Sequence, residues 1–171
     1  MSMMPTLRKL TAADASQYHD FRLLALEQEP YVFASDAQEQ RGASLEVIER
    51  MLSSDPQSFV LGAYLETELI GMIGLGRETR QKISHKASIW GFYVKQNARD
   101  QRIGKSLLNK TLEFAEQQPG LEFIRLVVDT SQTNAIHLFE QVGFVIYGVE
   151  KNMLKVDDFY VDKAFYRLEL S

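Results

Sequence analysis

Between residues 87 and 128 the hydrophobic period of the chain changes twice. The run Ala-Ser-Ile-Trp-Gly-Phe-Tyr-Val over 87–94 is aromatic and β-branched, as a buried strand requires. A polar turn follows. Residues 103–117 then place Ile103, Leu107, Leu108, Thr111, Leu112 and Ala115 at helical spacing, and Pro119-Gly120 stops that helix. A second strand, Phe-Ile-Arg-Leu-Val-Val, occupies 123–128. Strand, helix and strand in this order predict a right-handed crossover joining two parallel strands. Such a pair is covered by helices and belongs to a mixed α/β fold.

The flanking segments extend the same architecture. A first strand is expected over 6–10. Thr11-Ala-Ala-Asp14 then resembles a capping box, and Ala15, Tyr18, Phe21, Leu24 and Ala25 form the inner face of a helix ending before Pro30. Residues 31–43 read as loop. Ser44 caps a second helix with Ile48, Met51 and Leu52 on one face, stopped by Asp55-Pro56. The runs 59–65 and 69–75, split by Glu66-Thr67-Glu68, predict a hairpin. A helix over 133–142 buries Ile136, Phe139 and Val142, with Gly143 at its C′ position. Strands over 144–149 and 159–170, with Asp157-Asp158 in the turn between them, close the chain. The order β-α-α-β-β-β-α-β-α-β-β is a mixed α/β fold, expected to be one domain over 1–171.

Composition removes several classes of function. At 171 residues, a chain of this kind buries roughly 70% of its unfolded surface. It needs no disulfide or metal staple. It has no Cys, hence no thiolate metal site and no cysteine nucleophile. No stretch reaches the ~18 apolar residues of a membrane helix, and no secretory signal is expected at the N-terminus. A net charge of −4 argues against nucleic acid as partner. The expected location is cytoplasmic, without membrane association. His19, His85 and His137 share no metal-ligand spacing, so no metal is expected.

Charge is concentrated where the crossover turns. Between Lys95 and Lys110 there are five cations (Lys95, Arg99, Arg102, Lys105 and Lys110) and one anion, Asp100. Arg99, Arg102 and Lys105 recur every third residue around a helix N-terminus, whose free amides and dipole favour an anion. Gly104 permits close approach of a ligand. Together these features describe a pyrophosphate cradle. Gly104-Lys105-Ser106 matches the end of a P-loop, and 126–129 resembles its Mg²⁺-holding strand, but Arg99 stands where that motif begins with Gly.

A second pattern matches further. Arg99-Asp-Gln-Arg102-Ile-Gly104 followed by Leu107-Leu108, and Gln132-Thr-Asn-Ala135-Ile-His-Leu138-Phe139-Glu140-Gln-Val-Gly143-Phe144, resemble two linked motifs of the GNAT superfamily of acyl-CoA-dependent N-acetyltransferases. The resemblance runs from Ile89 to Phe144, and element order extends it over nearly the whole chain. It implies a mixed, mostly antiparallel sheet splayed between its fourth and fifth strands, flanked by helices. It implies acetyl-CoA as co-substrate and a small-molecule or peptide amine as acceptor. The diphosphate would lie on Arg99, Asp100, Gln101, Arg102, Ile103, Gly104, Lys105 and Ser106, with Gln132 and Asn134 nearby. Pantetheine would lie along Phe92, Tyr93 and Val94, and the Val94 amide, the one catalytic group assigned, would polarise the thioester carbonyl.

Three positions depart from the family pattern. Arg102 replaces a glycine and Gln132 an asparagine. Phe139 stands where the family often has the tyrosine that protonates the leaving thiolate; it is read here as a core residue. Tyr147 or His137 are alternative acids. Ser88 occupies the position of a glutamate base in some members, so proton removal by a water chain is expected. Residues 27–49 carry Glu27, Glu29, Asp36, Glu39, Glu46 and Glu49 against Arg41, and by resemblance wall the acceptor side, which suggests a cationic acceptor. Trp90, Phe92 and Tyr93 form an aromatic cluster that is core or acceptor wall. Oligomeric state is left open: strands 144–170 offer pairing edges for a homodimer, and dimers are common in the resembled family. The missing tyrosine leaves open an acyl-CoA-binding sensor without turnover.

Overall fold

The computed structural model describes residues 4–99 and 101–171. The strands are β1 (Thr6–Lys9), β2 (Phe59–Leu65), β3 (Glu68–Arg77), β4 (Lys86–Val94), β5 (Phe123–Asp129), β6 (Val145–Val156) and β7 (Phe159–Glu169). The helices are α1 (Ala15–Gln28), α2 (Ala37–Arg41), α3 (Leu45–Ser53), α4 (Ile103–Glu116) and α5 (Thr133–Gln141). The strands form one seven-stranded sheet in the order β1-β2-β3-β4-β5-β7-β6. Every neighbouring pair is antiparallel except β4–β5, the parallel crossover expected around α4.

Helices cover both faces of the sheet, which explains why β2 and β3 read as unbroken apolar runs. Leu61, Ile73, Leu107, Leu108 and Ile124 belong to a core on the α4 side. Val60, Tyr64 and Met72 belong to a second core with Tyr18, Phe21 and Leu26 of α1. At the α1 entrance the Asp14 carboxylate accepts the Thr11 amide at 2.7 Å and pairs with Arg8, although a 3₁₀ turn over Ala12–Asp14 precedes the helix proper.

Several expectations need correction. Arg22 joins the buried face of α1, where Leu24 is only partly buried against the core. Met51 is exposed while Ile48 is buried. The segment read as loop over 31–43 contains α2, capped by Asp36. The strand expected over 144–149 continues to Val156 as the outer strand of the sheet. Among the described residues no helix is long and apolar enough to cross a membrane.

The pairing of β4 sets up the functional region. Parallel pairing with β5 consists of Lys86–Phe123, Ala87–Ile124 and Ser88–Arg125, and stops there although both strands run on. On its other edge, β4 shifts register against β3 between Met72 and Gly74. Two residues, Gly91 and Phe92, oppose one, and Gly91 takes a left-handed φ of 60°. This β-bulge bends β4, and beyond it the two parallel strands diverge.

Candidate active site

A cleft of about 510 Å³ opens where β4 and β5 part. Ile89 to Val94 form one wall and Leu126 to Val128 the other. The N-terminal ends of α4 and α5 close one side, and Glu29, Val32 and Phe33, just beyond α1, close the opposite side. Phe92 meets Phe139 edge to face at 5.9 Å, and Phe139 meets Phe144 likewise. Phe139 is 5% exposed and fills the floor, consistent with a core role.

The ladder geometry sets the direction of the Val94 amide. Lys95 N–H donates to Ile70 O at 2.8 Å. Hydrogen-bonded and non-hydrogen-bonded pairs alternate along an antiparallel ladder. Tyr93–Met72 is therefore a bonded pair and Val94–Gly71 a non-bonded one. The N–H and C=O of Val94 thus face away from β3 and toward the gap. The carbonyl is taken by Arg99 Nε at 3.0 Å, and the N–H has no strand opposite it.

The α4 N-terminus is open in the same way. Side chains cap α2 and α3: Asp36 accepts the Gln38 amide and Ser44 the Val47 amide. The N-cap residues of α4 and α5, Arg102 and Gln132, make no such bond. The first main-chain bond of α4 runs from Ser106 N to Arg102 O, so the amides of Ile103, Gly104 and Lys105 precede the helical ladder. These three residues line the cleft together with Arg102, Gln132 and Asn134. Two uncapped helix starts therefore converge on one space, which is an anion-binding arrangement. A Cβ at Gly104 would stand 3.5 Å from the Phe92 ring, projecting toward the cleft wall. Arg102 adopts a left-handed φ of 59°, the conformation for which glycine is suited.

Of the residues expected here, Phe92, Tyr93, Val94, Arg99, Arg102, Ile103, Gly104, Lys105, Gln132 and Asn134 line the cleft. Gln101 and Ser106 are exposed and outside its lining. Asp100 lies outside the described residues. Arg99 does not crowd the helix start with Arg102 and Lys105. It folds back to donate to Val94 O, pairs with Glu29 at 3.0 Å and lies 5.5 Å over the Tyr93 ring. Tyr147 and His137, the alternative acids, lie outside the lining. Ser88 sits at the last β4–β5 pair.

The acidic stretch does not form a charged acceptor wall. Glu27 pairs with Arg41 and Glu29 with Arg99. Asp36 accepts the amides of Gln38 and Glu39, while the Glu39 carboxylate accepts that of Asp36. Only Glu29 of the six lines the cleft.

Some lining residues carried little sequence signal. Phe33 and Val32 come from a segment without periodicity, and Lys163 Nζ holds it by donating to the carbonyls of Tyr31 and Val32, each at 2.9 Å. Burial pushes the Lys163 ammonium pKa down, partly offset by Asp129. Burial likewise raises the pKa of the Tyr93 phenol, which donates to Gln28. Gly91 did carry a signal, since a lone glycine within a strand pattern marks a bulge.

Comparison with known proteins places this geometry. No curated protein matches the chain significantly. Among solved structures, an acetyltransferase of the GNAT family from Streptococcus pneumoniae superposes with a TM-score of 0.87 at 20% identity, covering 98% of this chain and 99% of the other. A GNAT superfamily phosphinothricin acetyltransferase from Sinorhizobium meliloti, in complex with AcCoA, gives 0.82 at 18% identity over 99% and 90%. A ribosomal-protein-alanine N-acetyltransferase from Brucella melitensis gives 0.78 at 21% identity over 96% and 99%. These likenesses are of fold. The model of the Acetyltransferase (GNAT) family matches residues 19–144, well over half the sequence and including the divergent strands and both open helix starts, and the chain is a member of that family.

Proposed function

We propose that residues 1–171 act as one domain that transfers an acetyl group from acetyl-CoA to a primary amine, by direct attack and in the cytoplasm. The observation that carries this reading is the uncapped α4 start beside a slot between parallel strands. The cleft is lined both by the α4 and α5 starts and by apolar side chains of β4 and β5, which suits a diphosphate joined to an extended chain. The amides of Ile103, Gly104 and Lys105 bind the diphosphate, with Arg102 and Lys105 adding charge. Gln132 and Asn134 flank it. Phe92 and Tyr93 line the pantetheine arm.

The Val94 N–H then donates to the thioester oxygen, where negative charge grows during attack. The amine nitrogen forms its bond to the acetyl carbon as the carbon–sulfur bond breaks. An amine near pKa 10 must first lose a proton. Water carries that proton out of the cleft, and among the described residues Glu29 is the one carboxylate that lines it. Phe139 cannot protonate the sulfur, so water or the departing amine proton does so.

The sheet has a single parallel pair, whereas a P-loop nucleotide site needs a parallel sheet. Calorimetry should accordingly show affinity for acetyl-CoA and none for Mg²⁺-ATP. Thiol release across an amine panel tests turnover. Tight acetyl-CoA binding with no release on any amine would instead support a sensor. A homodimer belongs to the same proposal. The outer strand β6 exposes Val145, Ile146, Tyr147 and Val149, and sedimentation at micromolar concentration checks it.

A further inference from the structure

Arg22 is the one charged side chain of α1 that is buried, at 7% exposure. Its guanidinium lies over the Phe33 ring at 5.0 Å and near Trp90 at 5.8 Å. Its Nη1 is buried and has no hydrogen-bond partner. Among the described residues Arg22 forms no ion pair. Such a group is costly to bury unless something balances it. Nη1 stands 3.3 Å from the place a Cβ would occupy on Gly91 and is the nearest atom to it, so a side chain at the bulge would press on the guanidinium, although Arg22 itself lies outside the cleft lining. Gly91, Trp90 and Phe33 all line the cleft, on the side formed by the 29–33 segment and opposite the α4 start. Burial holds the arginine pKa below its usual value, yet guanidinium remains charged at any pH of use.

We propose that Arg22 is the anchor for an anionic group on the acceptor, and that the acceptor is an amine carrying a carboxylate. A planar carboxylate over Gly91 would take the unspent Nη1 donor, and the guanidinium would keep its aromatic bed beneath. Of the six acidic residues expected to favour a cationic acceptor, five lie outside the cleft lining and the sixth, Glu29, is paired with Arg99, whereas Arg22 has no counter-charge of its own among the described residues. This inference rests on the acetyl-transfer reading and refines its acceptor class.

Matched trios test it: an amino acid, its carboxamide and the corresponding decarboxylated amine, each assayed with acetyl-CoA. Wild-type kcat/KM should favour the carboxylate member of at least one trio by about 100-fold. Arg22→Gln should erase that preference through acceptor KM. It should leave the rate with the decarboxylated amine and the affinity for acetyl-CoA unchanged, and Arg22→Lys should restore part of the preference. Acetyl-CoA affinity by calorimetry shows that each variant is folded. Thermal shift with the free amino acid gives a second readout independent of turnover: the stabilisation seen in wild type should vanish in Arg22→Gln. Turnover of amines with no preference for the carboxylate overturns the Arg22 inference and leaves the transferase reading standing. Absence of acetyl-CoA binding overturns both.

Discussion

At Gly104 helix stability and ligand binding pull in opposite directions. Glycine near a helix start is a poorer helix former than alanine by about 1 kcal/mol, and the nearest atoms around a Cβ there, in Phe92 and Leu138, stand at ordinary contact distance. Gly104→Ala should therefore raise the melting temperature by a few degrees while weakening acetyl-CoA binding at least tenfold. Gly104→Glu should abolish binding with the fold intact, as checked by circular dichroism and calorimetry. Unchanged affinity in both variants would remove the cradle assignment. Arg102 presents the reverse case. Its left-handed φ stores about 1 kcal/mol of backbone strain that glycine would relieve. Arg102→Gly should unfold at a higher temperature yet bind acetyl-CoA several-fold more weakly, with the deficit shrinking as salt is raised.

Individual elements were legible in the sequence in proportion to how one-sidedly they are buried. The helix α4 presents Ile103, Leu107, Leu108, Thr111 and Ala115 inward, and those positions stand out from periodicity alone. The five-residue α2 buries nothing, so no period betrays it. Residues 150–156 continue β6 as an edge strand that is mostly exposed, and Glu-Lys-Asn there reads as turn; the Asp162 carboxylate accepts the Asn152 amide at 2.8 Å and holds that irregular stretch. Arg22 carries no signal in the sequence, because a charged residue in an amphipathic helix ordinarily points to water. The β1–α1 junction carries a pH signature. Bonding to Arg8 holds the Asp14 carboxyl down at about 2, from an ordinary 3.8. Because the folded value is the lower one, the stabilisation is complete above pH ~4 and is lost as pH falls toward 2. Arg8 is half-exposed, so the effect should be under about 1 kcal/mol. Urea melts between pH 5 and 2 should show this component in wild type and a smaller one in Arg8→Ala, where only the Thr11 bonds to Asp14 persist.

For the molecule as a whole, the half of the cleft proposed to hold the diphosphate comes mostly from one stretch of sequence, 92–105, with Gln132 and Asn134 added from the α5 start, and could be read directly. The other half is assembled from the 29–33 segment and the far end of β5, the segment being held by a lysine on β7, 132 positions from Tyr31, that only the folded sheet brings near. Ligand linkage offers a global check. Acetyl-CoA at about 100 times its dissociation constant should stabilise the chain by about 2.7 kcal/mol. For a domain of this size that shifts the melting temperature by about 5–10 °C. No shift at saturating acetyl-CoA would rule out binding to the folded state.

Only three residue pairs stitch the β1–β4 portion of the sheet to the β5–β7–β6 portion. Past that seam no ladder bond joins the halves, only side-chain contacts such as those of Lys163 with the 31–32 carbonyls, so whatever lodges between them also mends the fabric. Backbone amides flanking the tear should trade their protons with heavy water on a faster clock in the empty protein than in the loaded one. Catalytic cycling would then be felt mechanically, as a sheet repeatedly rejoined and reopened along one line.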